Sequence, residues 1–311
     1  MNRTIAILLA TYNGAPHLAA QLDSLLAQTH TDWQLLARDD GSTDDTPLIL
    51  ADYRARYPDR ITILPGYGRR LGASANFAAL MTSADADYLM FCDQDDVWLP
   101  EKIERAMAAM NELAAQHGAD LSLLVHTDLA VTDARLQSVE PSLWRYQHTD
   151  PAHSTQLNRV LVQNYATGCT MLFNRAARDL ALPIPTAAMM HDWWLALVVA
   201  AFGQVGFVDT PLVLYRQHGL NDIGAQGFTA GDVLRRFTQW RAAREIIRQV
   251  LAQGVAFLER YGERLTPAQR EMLSVYARLD SFNGLLRRWY LLKYRFFYTG
   301  FARNVGRLVI G

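Results

Sequence analysis

The chain has 311 residues, of which 50% are hydrophobic and 20% charged, and its formal net charge is −1. This ordinary globular composition excludes an intrinsically disordered chain, and the length suits one large or two smaller domains. Residues 229–311 hold 15 basic and 6 acidic residues, whereas residues 1–228 hold 15 and 25. We therefore expect a domain over residues 1–228 and a basic helical extension over residues 229–311.

Strand and helix patterns alternate through the first hundred residues, which is typical of a parallel sheet with crossover helices. Apolar runs predict strands at 4–10, 33–37, 61–64 and 87–92. Amphipathic stretches predict the intervening helices near 16–28, 45–56 and 74–83. The expected fold class is therefore α/β.

The later elements are predicted from the same signals. Helices are expected at 99–117, 155–164 and 192–202, and strands at 121–126, 169–173 and 212–215. The polar segment 137–156 reads as a mobile loop and residues 219–228 as a linker, and the pattern beyond residue 229 is helical.

Targeting signals are not evident in the sequence. The apolar run at 5–10 is too short for a signal peptide, and Trp193 to Phe202 is about half of the ~20 residues that a spanning helix needs. Cys92 and Cys169 lie in apolar runs and are expected to be buried without a disulfide. We expect a cytoplasmic protein.

Polar clusters follow four of the predicted strands. They are Thr11-Tyr12-Asn13-Gly14, Asp39-Asp40-Gly41-Ser42, Gly66 to Gly72, and Asp93-Gln94-Asp95-Asp96. Because parallel strands end at one edge of a sheet, these clusters should converge on one cleft. The carboxylates at 93–96 repel each other and call for a divalent cation, although a solvated turn that caps the next helix is the alternative.

These motifs, with Gly72 to Asn76 and His191-Asp192-Trp193-Trp194, occur in the order found in family 2 glycosyltransferases. The chain resembles the rhamnosyltransferase-type members that build bacterial surface polysaccharides, over about residues 4–220. The resemblance implies the glycosyltransferase-A fold, with a Rossmann-like, mostly parallel central sheet, flanking helices and here a helical C-terminal extension.

The resemblance also implies a nucleotide site. Asp39 would accept the imide N–H of uracil or thymine, while Asp40 could be structural. The remaining nucleotide or donor contacts would be Thr11, Tyr12, Asn13, Arg69, Gly72 and Asn76, with Tyr12 stacked on the base. Arg70 is a phosphate candidate beside Arg69, and a solvated surface role is the alternative for either.

The metal site implied by the resemblance centres on Asp95 as a direct ligand of Mn²⁺ or Mg²⁺. Asp93 would be a ligand or a ribose contact, and Asp96 a sugar contact or second ligand. Arg216 would close over the diphosphate, and His218 would bind the metal or the diphosphate.

Asp192 is the expected catalytic base, which takes the proton of the acceptor hydroxyl. Stabilisation of a helix N-terminus is the simpler explanation for a carboxylate at this position. Trp193, Trp194 and Gly168 would line the acceptor pocket.

The C-terminal tail is the remaining feature of interest. Residues 281–311 contain six basic residues, no acidic one and eight aromatic ones. This mixture predicts a helix that lies on an anionic membrane surface; a basic helix packed on the body is the alternative. We expect no nucleic-acid partner.

The expected function is inverting, metal-dependent transfer of a sugar from a dTDP- or UDP-linked donor to a saccharide or lipid-linked acceptor in cell-surface polysaccharide synthesis. Rhamnose is the first choice for the sugar. A nucleotide-sugar pyrophosphorylase would need a Gly-rich, basic loop after the first strand, and Thr11 to Pro16 is not such a loop. A dehydrogenase would need G-x-G-x-x-G, which is absent. A non-catalytic nucleotide-sugar-binding module stays open.

Overall fold

The structure is a computed structural model that describes residues 4–66, 68–217, 240–300 and residue 304. Within this part of the chain, nine strands form one sheet. They are β1 (Ile5–Thr11), β2 (Trp33–Asp39), β3 (Ile61–Ile63), β4 (Tyr88–Cys92), β5 (Val97–Trp98), β6 (Ser122–Thr132), β7 (Ser138–Glu140), β8 (Met171–Asn174) and β9 (Gly203–Arg216).

Helices cover the sheet and make up most of the described C-terminal extension. They are α1 (Ala15–Leu26), α2 (Thr46–Arg56), α3 (Ala73–Ser83), α4 (Lys102–His117), α5 (Leu143–Tyr146), α6 (Leu157–Val160), α7 (Arg175–Ala181), α8 (His191–Phe202), α9 (Trp240–Tyr261), α10 (Pro267–Ala277) and α11 (Gly284–Lys293).

The strand order is β3-β2-β1-β4-β8-β6-β9-β5, with β7 paired to β6. The first four strands are parallel, as the alternating pattern predicts. Beyond β4 the sheet is mixed, because β8 runs antiparallel to both β4 and β6 whereas β6 and β9 are parallel. The α/β prediction is confirmed, and the carboxyl ends of β1, β2 and β4 lie at one edge.

The prediction of a mobile loop at 137–156 was wrong. This segment contains β7, α5 and a 3-10 turn, and Trp144 is buried. The Asp128 carboxylate holds the segment, since it accepts hydrogen bonds from the Ser142 hydroxyl and the Trp144 amide. A buried carboxylate that joins two segments leaves no hydrophobic period in the sequence, so the pattern could not reveal it.

Helices α9–α11 pack on the body that the sheet and its helices form. Phe257 and Tyr261 of α9 and Tyr276 of α10 belong to the same buried cluster as Trp194 and Leu197 of α8. The two parts of the chain on either side of residue 228 differ in charge, but their described residues share one hydrophobic core. No helix of the described residues is long and apolar enough to span a bilayer. The predicted linker at 219–228 lies outside the described residues.

Candidate active site

A cleft of about 390 Å³ lies at the carboxyl ends of β1, β2 and β4. It continues towards the start of α8 and the segment before β8. Eight of the predicted site residues line it: Thr11, Tyr12, Asn76, Asp93, Asp95, Gly168, Asp192 and Trp193. The strand-end clusters therefore converge as their spacing predicts.

Three other predicted residues fix the loops around the cleft. Asn13 donates its backbone N–H to Ser42 Oγ, and its side-chain oxygen accepts from the Thr43 amide. Asp39 accepts hydrogen bonds from the Thr11 hydroxyl and from the backbone of the 41–42 turn. Gly72 has a φ of 83°, which a glycine adopts without strain.

Asp40, for which a structural role was expected, lines the cleft, whereas Asp39 is not among the described lining residues. Asp40 accepts hydrogen bonds from the amides of Leu71 and Gly72 at 2.7–3.0 Å and forms a buried ion pair with Arg38. In the same way, Arg70 lines the cleft rather than Arg69. The Arg70 guanidinium lies 3.7 Å from the centre of the Tyr12 ring.

Trp194 was predicted to line the acceptor side of the cleft, but it does not. It is fully buried, its indole N–H donates to the Ala181 carbonyl, and it packs against Phe257 and Tyr261. The turn of about 100° per helical residue carries Trp194 past the cleft side of α8 and into the core with Phe257 and Tyr261. Trp193 lines the cleft instead.

Arg216 also differs from the prediction, because its guanidinium binds backbone carbonyls instead of lining the cleft. Nε donates to the Asp95 carbonyl and Nη1 to the Ala134 carbonyl, and the Arg216 amide donates to Asp96. The side chain thus supports the segment Asp93–Asp96, which we call the acidic loop, from the side away from the cleft. His218 lies outside the described residues.

The acidic loop presents carboxylates at two depths. Asp93 and Asp95 line the cleft, while Asp96 is fully buried beneath them. Atoms of Asp93, Asp96 and Cys169 that could ligate a metal lie within 4.8 Å of one another. Burial, followed by the charge of Asp95, raises the pKa of Asp96 to about 7. Burial and the neighbouring carboxylates likewise raise the pKa of Asp93.

Lys102, which the sequence analysis did not single out, lies under this cluster. Its ammonium group is fully buried, donates to the Cys169 carbonyl at 2.7 Å and lies 2.9 Å from the centre of the Trp98 ring. Burial lowers the pKa of Lys102 to about 7, while the charges of Asp96 and Asp93 oppose this shift. The lysine therefore compensates part of the negative charge of the cluster.

Asp192 is held rigidly at the N-terminus of α8. Its Oδ2 accepts hydrogen bonds from the Asn164 side chain and the Gly168 amide, both at 3.0 Å, and Oδ1 accepts from the Trp193 amide at 2.7 Å. Burial raises the pKa of Asp192 to about 6 in spite of these bonds. A carboxylate with such a pKa is ionised at neutral pH and basic enough to accept a proton.

Gln94 was missed in the sequence analysis, although it stands between predicted site residues. Its side-chain oxygen accepts from the Tyr12 amide at 2.8 Å, and its side-chain nitrogen donates to the Tyr12 carbonyl at 2.9 Å. A Cβ on Gly14 would lie 2.1 Å from the same side-chain oxygen. Gln94 therefore joins the end of β1 to the acidic loop.

Replacing Gln94 by leucine is expected to weaken nucleoside diphosphate binding by about tenfold, because the half-buried Tyr12 amide loses its partner at a cost of about 1–3 kcal/mol. Titration calorimetry with UDP measures this loss, and Gln34→Leu on the exposed side of β2 is the control. Equal UDP affinity in Gln94→Leu and the parent would show that the Tyr12 backbone does not need this clamp.

The site and fold together define a glycosyltransferase, with the parallel half of the sheet, an acidic loop and the half-buried carboxylate of Asp192 around one cleft. The sequence model of Glycosyl transferase family 2 matches residues 6–179, and the chain belongs to this family.

Individual proteins give the same picture. The chain is 29% identical over 236 residues to the dTDP-rhamnosyl transferase RfbG of Shigella flexneri, which covers 70% of this chain and 74% of the relative. Its fold is similar to that of S. aureus TarS in complex with UDP-GlcNAc, with a TM-score of 0.60, 14% identity and coverage of 91% and 74%. It is also similar to the mannosyltransferase PcManGT from Pyrobaculum calidifontis in complex with GDP-Man and Mn²⁺, with a TM-score of 0.54, 15% identity and coverage of 95% and 74%.

Proposed function

We propose that the protein is an inverting, metal-dependent glycosyltransferase that uses a nucleoside-diphosphate sugar. The observation that carries this proposal is the placement of Asp192 in the same cleft as Asp93 and Asp95. The carboxylates are close enough for the charge of Asp192 to contribute to the raised pKa of Asp93. The proposed base, Asp192, and the proposed cation-binding loop therefore lie in one cleft.

A divalent cation fits the chemistry of the acidic loop. Carboxylate oxygens suit Mg²⁺ and Mn²⁺, and the buried thiol of Cys169 stays protonated because burial raises its pKa. Asp95 and Asp93 would hold the ion from the cleft, with Asp96 behind them. When bound, the cation supplies positive charge for the departing diphosphate.

The chain's own residues then explain direct displacement. Asp192 takes the proton of an acceptor hydroxyl, whose oxygen forms a bond to the anomeric carbon as the bond to the diphosphate oxygen breaks. The hydrogen bonds from Asn164, Gly168 and Trp193 fix the carboxylate in one orientation for this proton transfer. One displacement inverts the anomeric configuration.

We assign recognition of the base to Asp40. Asp40 lines the cleft, whereas Asp39 stabilises the following turn. A carboxylate accepts the imide N–H of uracil or thymine, and cytosine lacks this donor. Asp40 therefore takes the role that the sequence motif suggested for Asp39.

Asp40→Asn is expected to weaken UDP and dTDP binding alike by about 10- to 100-fold, the cost of one hydrogen bond to a charged group. It should also lower the melting temperature, because the buried Arg38 loses its ionic partner. It should also reduce the preference for UDP over CDP. The matched variant Asp39→Asn should keep that preference and lower mainly the melting temperature. The opposite pattern, with base preference lost only in Asp39→Asn, would return the role to Asp39. Calorimetric Kd values for the three nucleotides give the answer.

The donor is proposed to be dTDP-rhamnose, with UDP-hexoses next. The relative RfbG is a dTDP-rhamnosyl transferase, which supports the first choice. A thermal-shift panel of dTDP- and UDP-sugars with and without Mn²⁺ tests it, because a ligand at a hundredfold excess over its Kd stabilises the fold by about 2.7 kcal/mol. A shift with GDP-sugars alone would exclude this class of donors.

Two other functions make different products. A pyrophosphorylase would form a nucleotide sugar and release pyrophosphate, and a binding module would release nothing. The half-buried, hydrogen-bonded Asp192 in the same cleft as the acidic loop favours transfer, because neither alternative needs a base for an acceptor hydroxyl. Release of nucleoside diphosphate that depends on an acceptor separates the three.

The acceptor is proposed to be a saccharide or a lipid-linked saccharide in cell-surface polysaccharide synthesis, with the enzyme on the inner face of the membrane. Supporting this location, the described tail residues 281–300 contain four basic residues and no acidic one. Residues 301–303 and 305–311 of the predicted tail lie outside the described residues. No nucleic acid takes part in this proposal.

A further inference from the structure

Helix α11 exposes a row of large apolar side chains to solvent. Leu285, Trp289 and Leu292 are 81%, 52% and 54% exposed, and Leu286 beside them is 38% exposed. Spacings of four and three residues place the first three on one side of the helix. We call these four side chains the apolar face of α11. The opposite side is anchored in the body, since Leu291 is buried there.

Basic residues flank the apolar face. On a helical projection, Arg288 and Lys293 lie on either side of the Leu285–Trp289–Leu292 row, and the exposed Arg295 follows the helix. Two acidic residues are near: Glu271 accepts from Lys293 at 3.2 Å, and Asp280 lies 3.9 Å from Arg287. Exposed leucine and tryptophan bordered by arginine and lysine suit the boundary between anionic headgroups and acyl chains.

A second copy of the chain is a poorer occupant of this surface. A two-fold contact would bring the same basic side chains of both copies together, which is unfavourable. A ten-residue helix is also only about 15 Å long, so one face offers far less than the ~800 Å² per partner of a typical stable interface.

The chain after α11 connects this surface to the active site. We call residues 294–299 the strap. The Asn158 side chain donates to the Tyr294 carbonyl at 2.9 Å, Arg159 donates to the Phe297 carbonyl at 3.2 Å, and the Thr299 amide donates to Gln163 at 3.1 Å. The next residue in the chain, Asn164, donates to Asp192. The strap thus supports the segment that orients the proposed base.

We propose that the apolar face of α11 docks on an anionic bilayer and that the strap holds the acceptor side of the cleft in a fixed position relative to that bilayer. The docking surface does not depend on the proposed transfer reaction, whereas the consequence for the acceptor rests on it. An acceptor presented at the membrane, such as a saccharide on a lipid carrier, is then the class of substrate that this geometry serves.

The experiment measures flotation of the full chain with phosphatidylcholine vesicles that contain or lack phosphatidylglycerol. The test variant is Leu285→Glu/Trp289→Glu. Its control is Leu48→Glu/Val139→Glu, which makes the same change in charge at two positions that are 68% and 54% exposed elsewhere. All four positions are exposed, so the variants should keep the parent's melting temperature. Deletion of the tail is unsuitable because it would also remove the strap.

The parent and the control should bind the anionic vesicles, and high salt should weaken this binding. The test variant should lose about tenfold or more in partitioning, because charge replaces the inserted side chains. Three results would overturn the proposal: a parent that ignores anionic vesicles at low salt, an equal loss in both double variants, or a parent dimer that only the test variant disrupts. Flotation needs no substrate, so a failed transfer assay leaves this test intact.

Discussion

Asp192→Asn is expected to lower glycosyl transfer by about 10²- to 10⁴-fold while donor binding survives, because the amide cannot accept the proton of the acceptor hydroxyl. The side chain keeps its volume, and one oxygen remains for the amide of Gly168 or Trp193. Transfer rates and donor Kd values should be measured on the same preparations, with the exposed Asp59→Asn as the matched control.

The raised pKa of Asp192 also predicts how the transfer rate changes with pH. Burial raises the pKa of Asp192 to about 6, and the base works only when ionised. Transfer by the parent should therefore fall as the pH drops through about 6, and this acidic limb should be missing from the residual activity of the variant. Near-parent transfer by Asp192→Asn would leave Asp192 as a stabiliser of the α8 N-terminus. Loss of donor binding would place it in the sugar pocket.

Asp95→Ala is expected to abolish turnover and to remove the effect of Mn²⁺ on nucleoside diphosphate binding. Asp95 lines the cleft beside Asp93, and its charge contributes to the raised pKa values of Asp93 and Asp96. Removing one of several repelling carboxylates should relieve part of their repulsion, and the melting temperature without cation shows whether the metal-free fold is kept.

Calorimetry of UDP binding with and without Mn²⁺ checks this second prediction, and Asp59→Ala controls for the loss of an exposed carboxylate. Cation-dependent UDP binding that persists in Asp95→Ala would exclude Asp95 as a ligand. In that case Asp93 and Asp96, whose possible ligand atoms lie within 4.8 Å of Cys169, would become the ligands to test.

The half of the fold with parallel strands was predictable because each buried strand leaves an apolar run that ends in a polar cluster. The runs at 33–37 and 87–92 match Trp33–Asp39 and Tyr88–Cys92. The later half was harder to predict. In the strand Gly203–Arg216, Val205 is the only buried residue before Leu212, so only the apolar end at 212–215 gave a clear signal. The helix Arg175–Ala181 is too short for a periodic pattern.

Site residues were predicted best where the residue type in the motif already supplies the functional group, as a carboxylate does. Asp93, Asp95 and Asp192 reach the cleft. Which of two neighbouring residues faces the cleft was predicted less well, because that depends on local backbone geometry: Asp40 and Arg70 line the cleft where Asp39 and Arg69 were expected. Contacts across distant segments were missed altogether. Gln94 reaches back 82 residues to Tyr12, and Lys102 reaches the Cys169 carbonyl.

The central claim is that the enzyme transfers a sugar by direct displacement at the anomeric carbon. The most direct measurement is the NMR spectrum of the product formed from the donor that the thermal-shift panel identifies, with Mn²⁺ and a lipid extract containing polyprenyl-diphosphate saccharides as acceptors. We predict a new glycoside with the anomeric configuration opposite to that of the donor, together with one equivalent of nucleoside diphosphate. A glycoside of retained configuration, or release of pyrophosphate instead of nucleoside diphosphate, would contradict the account.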